Sequence, residues 1–167
     1  KRIKMNIFHL HKDPKTCARY HCDKHVVKMI LETGQMLSTA YRRHFGDNDD
    51  LYQTAYPRHP MTVWVGNSGG NFSWTIKLLD YLLQEYDFRF NQDPNKTKIH
   101  STIHIYNFFI TKHKYWQDLT GDFTKPPLCM PDKYKCDDYI QSYRKYYIGD
   151  KKRFAKYTAV DFPEFLC

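Results

Sequence analysis

A chain of 167 residues, 41% of them hydrophobic, is long enough to bury a core without staples and is too apolar to be disordered. Five cysteines at irregular spacing with no CxxC exclude a secreted disulfide framework and a zinc ribbon. The absence of a secretory h-region or a bilayer-length apolar run leads us to expect an intracellular protein with no membrane partner. A net charge of +8, with 14 Tyr and 11 Phe, favours polyanionic partners, nucleic acid ahead of an anionic membrane surface.

Taken in order, Lys1-Arg2-Ile3-Lys4 reads as a basic extension ahead of Met5. Met5 to His11 alternates loosely, which leaves room for a short strand with His9 and His11 on one face. Asp13-Pro14 predicts an N-cap followed by proline at the first position of a helix running to Tyr20. The longest periodic stretch is Cys22 to Arg43. Asp23 is its expected N-cap and Gly46 its stop, with Arg42, Arg43 and His44 suited to a helix C-terminus.

At ~100° per residue, Val26, Val27, Ile30, Leu31, Leu37 and Tyr41 share one side of that helix, extended by Met29, Met36 and Ala40. The remaining stripe is narrow: Lys24, His25, Lys28, Glu32, Gln35 and Thr39, with His21 one turn earlier. Surface helices show a broader polar face, so the pattern predicts a mostly buried helix whose stripe walls a cleft. A solvent face with Lys28 and Glu32 as an i,i+4 pair gives the same pattern.

Gly46 to Asp50 is a polar turn, Leu51 to Tyr56 a candidate short helix, and Pro57 and Pro60 frame Arg58 and His59. After the break at Asn67-Ser68-Gly69-Gly70, capped by Ser68 or Asn71, a second long helix runs from Asn71 to Phe90. Its core face is Phe72, Ile76, Leu79, Leu82 and Leu83. Thr97 to Ile110 reads as a third helix with His100 and His104 four apart, its Ile and Tyr content leaving a strand as the alternative, and the proline-marked stretch Lys112 to Tyr134 reads as irregular. Asp137 or Asp138 then caps a helix through Tyr147, ended by Gly149, with a further helical turn after Asp150. The fold class expected is mainly α, a single compact helical domain around one long buried helix.

Several groups point to chemistry. Tyr143 to Tyr157 interleaves cations with aromatics, so Tyr143, Arg144, Lys145 and Tyr147 are candidates for phosphate contact and base stacking. The same spacing fits aromatics in the core with cations on the opposite face. Asn67 and Asn71, near Trp64 and Trp74, suit a base pocket unless the tryptophans are core. Asp132 is a possible second carboxylate. The pairs His21/His25 and His100/His104, with His59, have the spacing to hold Zn or Fe. No acidic residue has zincin spacing and no third ligand is evident, so no metal site and no cofactor is predicted; a bound divalent metal is the minority alternative.

Amine chemistry on the long helix is the sharpest option. Lys24 and Lys28 lie four apart and disfavour each other's charge, while Glu32 holds Lys28 protonated. Lys24 is then the expected Schiff-base nucleophile, with Glu32 stabilising an oxocarbenium-like sugar or shuttling a proton.

Together CDKHVVKMILETGQMLSTA, HPMTVW, MPDKYK and YRKYYIGDKKRFAKY resemble a family of small proteins encoded by large tailed phages and algal viruses, over nearly the whole chain from Met5. For a viral chain the expected location is the host cytoplasm. In size, charge and its aromatic-basic C-terminal stretch the chain is also similar to the phage pyrimidine-dimer DNA glycosylases. That resemblance implies an N-terminal amine joined to a glutamate beside arginines. This chain does not match that motif: Lys1 or Asn6 would have to supply the amine, and no Arg-Glu pair precedes the core helix.

The reading is therefore an enzyme that processes DNA bases, a glycosylase and abasic-site lyase for damaged or modified bases. Lys24, Lys28 and Glu32 are catalytic, and substrate is held by His21, His25, Gln35, His59, Asn71, Asp132, Tyr143, Arg144, Lys145 and Tyr147. The alternatives are a non-catalytic nucleic-acid-binding protein and a histidine-ligated metalloenzyme acting on a nucleotide or small substrate. The oligomeric state is left open between a monomer and an oligomer.

Overall fold

The computed structural model describes residues 5–112 and 114–167, so the basic extension at residues 1–4 lies outside the described residues. Six α-helices carry the fold: α1 (Pro14–Tyr20), α2 (Asp23–Phe45), α3 (Pro60–Gly66), α4 (Gly69–Phe90), α5 (Ile103–Asn107) and α6 (Tyr139–Tyr146). The fold is mainly α, as expected. Helix α4 packs across α1, α2 and α3, and α2 packs on α3. Between them lie Ile30, Met36, Leu37, Phe72, Leu79 and Leu82, all fully buried; each such side chain contributes roughly 1.5–3 kcal/mol by leaving water.

The helix starts follow local chemistry. The Asp13 carboxylate accepts the Thr16 N–H at 3.0 Å and the Thr16 hydroxyl at 2.8 Å, with Pro14 at the first position of α1. Asp23 is not the cap of α2; Cys22 holds that position, and Asp23 begins the helix. Its carboxylate instead accepts the Thr158 N–H and hydroxyl and pairs with Arg89. Ser68 caps α4, which starts two residues before the expected Asn71 because a loop satisfies its first donors. The N–H groups of Gly69 and Gly70 donate to the carbonyls of Thr120 and Gly121. A Cβ at either glycine would collide with the loop backbone, at Leu119 O or Phe123 N, so this approach requires glycine.

Arg89, near the end of α4, is 1% exposed and fixes three elements together. Nη1 donates to His21 O at 2.7 Å and to Asp23 at 3.2 Å, and Nη2 donates to Arg19 O and to Glu85 at 2.8 Å each. The carbonyls left open at the end of α1 are thereby satisfied by a side chain from another helix.

Several expectations are corrected. Residues 5–11 form no strand; Met5, Ile7, Phe8 and Leu10 are all buried, so both sides of the segment face protein. Side chains serve its backbone, Glu32 accepting from Asn6 N and Arg144 donating to Leu10 O. Residues 51–56 are not helical, because the Arg42 guanidinium captures the carbonyls of Asn48, Leu51 and Tyr52. The third helix shrinks to α5 followed by a π turn, Phe108–Lys112. His100 precedes that helix, donating to Val27 O, and shares no helix face with His104. Val27 and Leu31 are exposed rather than core. Gly149 does not end the last helix: α6 passes into a π turn, Tyr147–Lys151, and a 3-10 turn, Lys152–Phe154. There the Tyr134 hydroxyl, bonded to Asp150 at 2.7 Å, occupies the space a side chain on Gly149 would need.

Candidate active site

A cleft of about 640 Å³ opens along the polar stripe of α2. Helix α2 contributes His25, Lys28, Met29 and Glu32; the preceding segment adds Asn6 and Phe8, and His59 enters just before α3. The far wall comes from late in the chain: Cys129, Met130, Asp132 and Lys135 in one loop, Tyr146 and Lys151 around the π turn. Polar residues at i, i+3 and i+7 of a helix share a face, which is why α2 delivers three of them to one cavity.

Glu32 lies 6% exposed at this cleft. Oε1 accepts the Asn6 N–H at 3.1 Å; Oε2 is buried without a hydrogen bond, and Lys28 Nζ stands 3.7 Å from it. Burial pushes the carboxyl up to about 7, with Lys28 and the Asn6 N–H pulling the other way. The folded value lies above the unfolded one, so ionisation of Glu32 opposes folding. That cost is absent below about pH 4.5, grows as pH rises, and is complete above about 7. Relative to Glu32→Gln, the wild type is therefore expected to lose up to about 3 kcal/mol of stability between pH 4 and pH 8. Urea unfolding of both proteins at the two pH values measures the difference, and equal pH slopes would contradict it.

Around this carboxyl the cleft is basic. Lys28 is half-exposed, and Lys151 sits with Nζ 4.8 Å from the Tyr146 ring centroid and 5.7 Å from that of Phe8. Lys135 pairs at 2.9 Å with the exposed Asp132, whose carboxyl it holds below the usual range. His59 accepts the Met61 N–H at 3.1 Å, capping α3, and burial lowers its affinity for a proton. His25 stacks on Phe8 at 4.5 Å, and its Nδ1 lies 2.6 Å from the Tyr147 hydroxyl. Burial first, then His21 and Lys151, push its imidazole down to about 2, so His25 is neutral.

Other expected site residues lie elsewhere. Lys24 does not line the cleft; it is exposed, with Nζ 4.7 Å from the centre of the Phe154 ring. His21 is fully buried, Nδ1 donating to Cys17 O at 2.7 Å, and Gln35 lies outside the cleft lining. Asn71 is buried and clamps the loop that covers α4, bonding Trp64 O, Thr124 Oγ1 and Thr124 N. Trp64 and Trp74 pack around the buried His9.

The basic-aromatic stretch is not a stacking surface. Tyr143 and Tyr147 are fully buried, because their i,i+4 spacing turns both to the inner face of the last helical turns, and Tyr157 beyond them is nearly so, its hydroxyl donating to Tyr20 O. Tyr143 donates to Pro127 O, while Arg144 donates to Leu10 O and lies over Tyr20 and Phe165. Lys145 remains on the surface. The sequence reading missed Phe8, Met29, Cys129, Lys135, Tyr146 and Lys151. The last three stand in MPDKYK and YRKYYIGDKKRFAKY, but nothing local says that those stretches face α2.

Among the described residues no group of three or more His, Cys, Asp or Glu side chains is placed to hold a metal ion, and no helix is long and apolar enough to cross a membrane. No curated protein and no solved structure matches the chain. A family model described as pyrimidine dimer DNA glycosylase matches residues 5–98, more than half of the sequence. The matched span holds Asn6, His25, Lys28, Glu32 and His59, one whole side of the cleft, and stops before the loop and π turn that form the other. The chain belongs to the pyrimidine dimer DNA glycosylase family.

Proposed function

We propose that the protein frees one pyrimidine of a dimer in duplex DNA from its sugar, the step called base release below, and then cleaves the strand, with Glu32 as the acid–base group and Lys28 as the nucleophilic amine. One observation carries this reading: a buried carboxyl titrating near neutrality, with an unpartnered oxygen 3.7 Å from an amine that lines the same cleft. A group of that pKa exchanges protons efficiently at working pH. Family membership supports DNA as the substrate. The 640 Å³ cleft gives an extruded nucleotide room, and its lysines suit the flanking phosphates.

Lys28 Nζ gives a proton to the Glu32 carboxylate and attacks C1′ of the deoxyribose. The C1′–N1 bond breaks with its bonding pair passing to N1, which takes a proton from the new secondary ammonium at Lys28 Nζ; the freed pyrimidine stays joined to its partner in the dimer. The protonated Glu32 hands its proton to O4′ as the Nζ lone pair opens the C1′–O4′ bond, leaving a protonated imine between Lys28 and C1′. Glu32, again a carboxylate, removes a C2′ proton, the C3′–O bond breaks, and the 3′ phosphate departs. Water then hydrolyses the imine and restores the amine.

Borohydride present during reaction with dimer-containing duplex is expected to trap a covalent adduct on Lys28, and Lys28→Ala to lower trapping and strand cleavage by ~100-fold. Full trapping by Lys28→Ala would remove Lys28 from the role. A specific rival exists: the Asn6 nitrogen lies 3.1 Å from Glu32 Oε1, closer than Lys28 Nζ lies to Oε2. In a chain beginning at Asn6 that nitrogen is a primary amine, in the position the resemblance assigns to the nucleophile. Peptide mapping of the trapped adduct separates the two. A purely DNA-binding protein would give no adduct at all.

A further inference from the structure

Tyr147 sits under the cleft, fully buried, at the start of the π turn. Its hydroxyl accepts the Cys22 N–H at 3.1 Å and lies 2.6 Å from His25 Nδ1 and 3.5 Å from Cys22 Sγ. A phenol has one proton to give. Of the two remaining neighbours, an imidazole nitrogen at 2.6 Å is a far stronger acceptor than a thiol sulfur at 3.5 Å. Burial keeps that proton on Tyr147 by pushing its phenol well above the ordinary range. With Nδ1 accepting, a neutral imidazole must carry its hydrogen on Nε2. The ring is held flat against Phe8, 4.5 Å between centroids and 7° between planes, and lines the same cleft as Glu32 and Lys28.

We propose that Tyr147 is a positioning residue that locks His25 as the Nε2–H tautomer, so that His25 gives one uncharged hydrogen bond to a carbonyl oxygen of the departing pyrimidine. This rests on the reading of the cleft as the site of base release. As C1′–N1 breaks, the electron pair spreads from the ring nitrogen onto the carbonyl oxygens of the base. A donor already aimed at that position favours the transition state over the bound substrate. A neutral imidazole keeps its Nε2 proton through the step, because giving it up would leave an imidazolate, a stronger base than the pyrimidine anion it serves. The strand-cleaving step, which occurs after the C1′–N1 bond has broken, does not use this bond.

The test separates the two steps. On dimer-containing duplex, His25→Ala is expected to lower single-turnover base release by about 100-fold, with His25→Gln, which keeps an N–H donor, recovering part of the loss. Tyr147→Phe should lower base release by about 10-fold, the smaller end of what an orienting partner of a histidine is worth. On duplex carrying a preformed abasic site all three variants should lose at least about ten-fold less activity, relative to the wild type, than His25→Ala loses on the dimer duplex. Nitrogen NMR of the ¹⁵N-histidine-labelled wild type should show His25 as the Nε2–H tautomer, and Tyr147→Phe should show a mixture. An Nδ1–H tautomer in the wild type, or base release unchanged in His25→Ala, overturns the proposal; equal loss on dimer and abasic substrates does the same. If Tyr147→Phe does not fold, the wild-type spectrum and the two His25 variants decide alone. Wild-type protein inactive on both substrates would overturn the proposed function, while the tautomer would still be read from the spectrum.

Discussion

Glu32→Gln is expected to reduce base release from pyrimidine-dimer duplex by at least ~100-fold, the scale of a lost acid–base group, with DNA affinity retained. Glutamine keeps the shape and can still accept the Asn6 N–H through its carbonyl, so the segment that carries Asn6 and Phe8 stays in register. It can neither take a proton from Lys28 nor return one to the sugar. Its amide group also turns N–H donors toward the Lys28 ammonium, which adds a small repulsion without opening a cavity. The DNA phosphates still meet the lysines of the cleft, so binding in a salt titration should follow the wild type. A correctly folded Glu32→Gln protein with near-normal turnover would make α2 a scaffold only.

The largest effect on stability should come from Arg89. Arg89→Met is expected to lower the unfolding free energy by ~3–5 kcal/mol, the range found when one partner of a buried ion pair is removed. Methionine fills much of the volume, but it leaves Arg19 O and His21 O without their donor and removes the charge between Asp23 and Glu85. Arg89→Lys should recover little, because a single ammonium cannot span two carboxylates and two carbonyls in the geometry of a planar guanidinium. Urea denaturation reads both variants. A loss below about 1 kcal/mol for Arg89→Met would mean that the network is no better than an exposed pair.

The helices were legible wherever their signals are local. A 3.6-residue period and Gly46 gave α2 nearly its full length, and the caps Asp13, Ser68 and Asp138 act as their residue types predict. The polar stripe on an otherwise buried helix pointed to Lys28 and Glu32, and both line the cleft. Lys24 shares that stripe but lies a turn nearer the helix start, outside the cleft, where its ammonium stands over the Phe154 ring; no periodicity in α2 can report a neighbour 130 positions away. Tyr143 and Tyr147 failed as surface residues for a related reason. Alternating cations and rings look alike whether the rings face solvent or core, and only the packing of α6 onto residues 5–11 and of the π turn onto the start of α2 decides. The segment at residues 5–11 mimicked a strand because apolar residues there are buried on both sides rather than paired in a ladder.

The wall that closes the cleft is joined to the rest by contacts between residues far apart in the chain: Tyr147 with His25, Arg144 with Leu10, Thr158 with Asp23 and Tyr157 with Tyr20, separated by 122 to 137 positions. During synthesis Glu32, Lys28 and His25 leave the ribosome long before these partners exist. Ring closure over such a span is entropically slow, so this docking is a late folding event. A nascent chain that has emerged only as far as α4 has its carboxyl and amine but half a cavity. The timing withholds a whole cleft until the chain has been made past Thr158, with no inhibitor required.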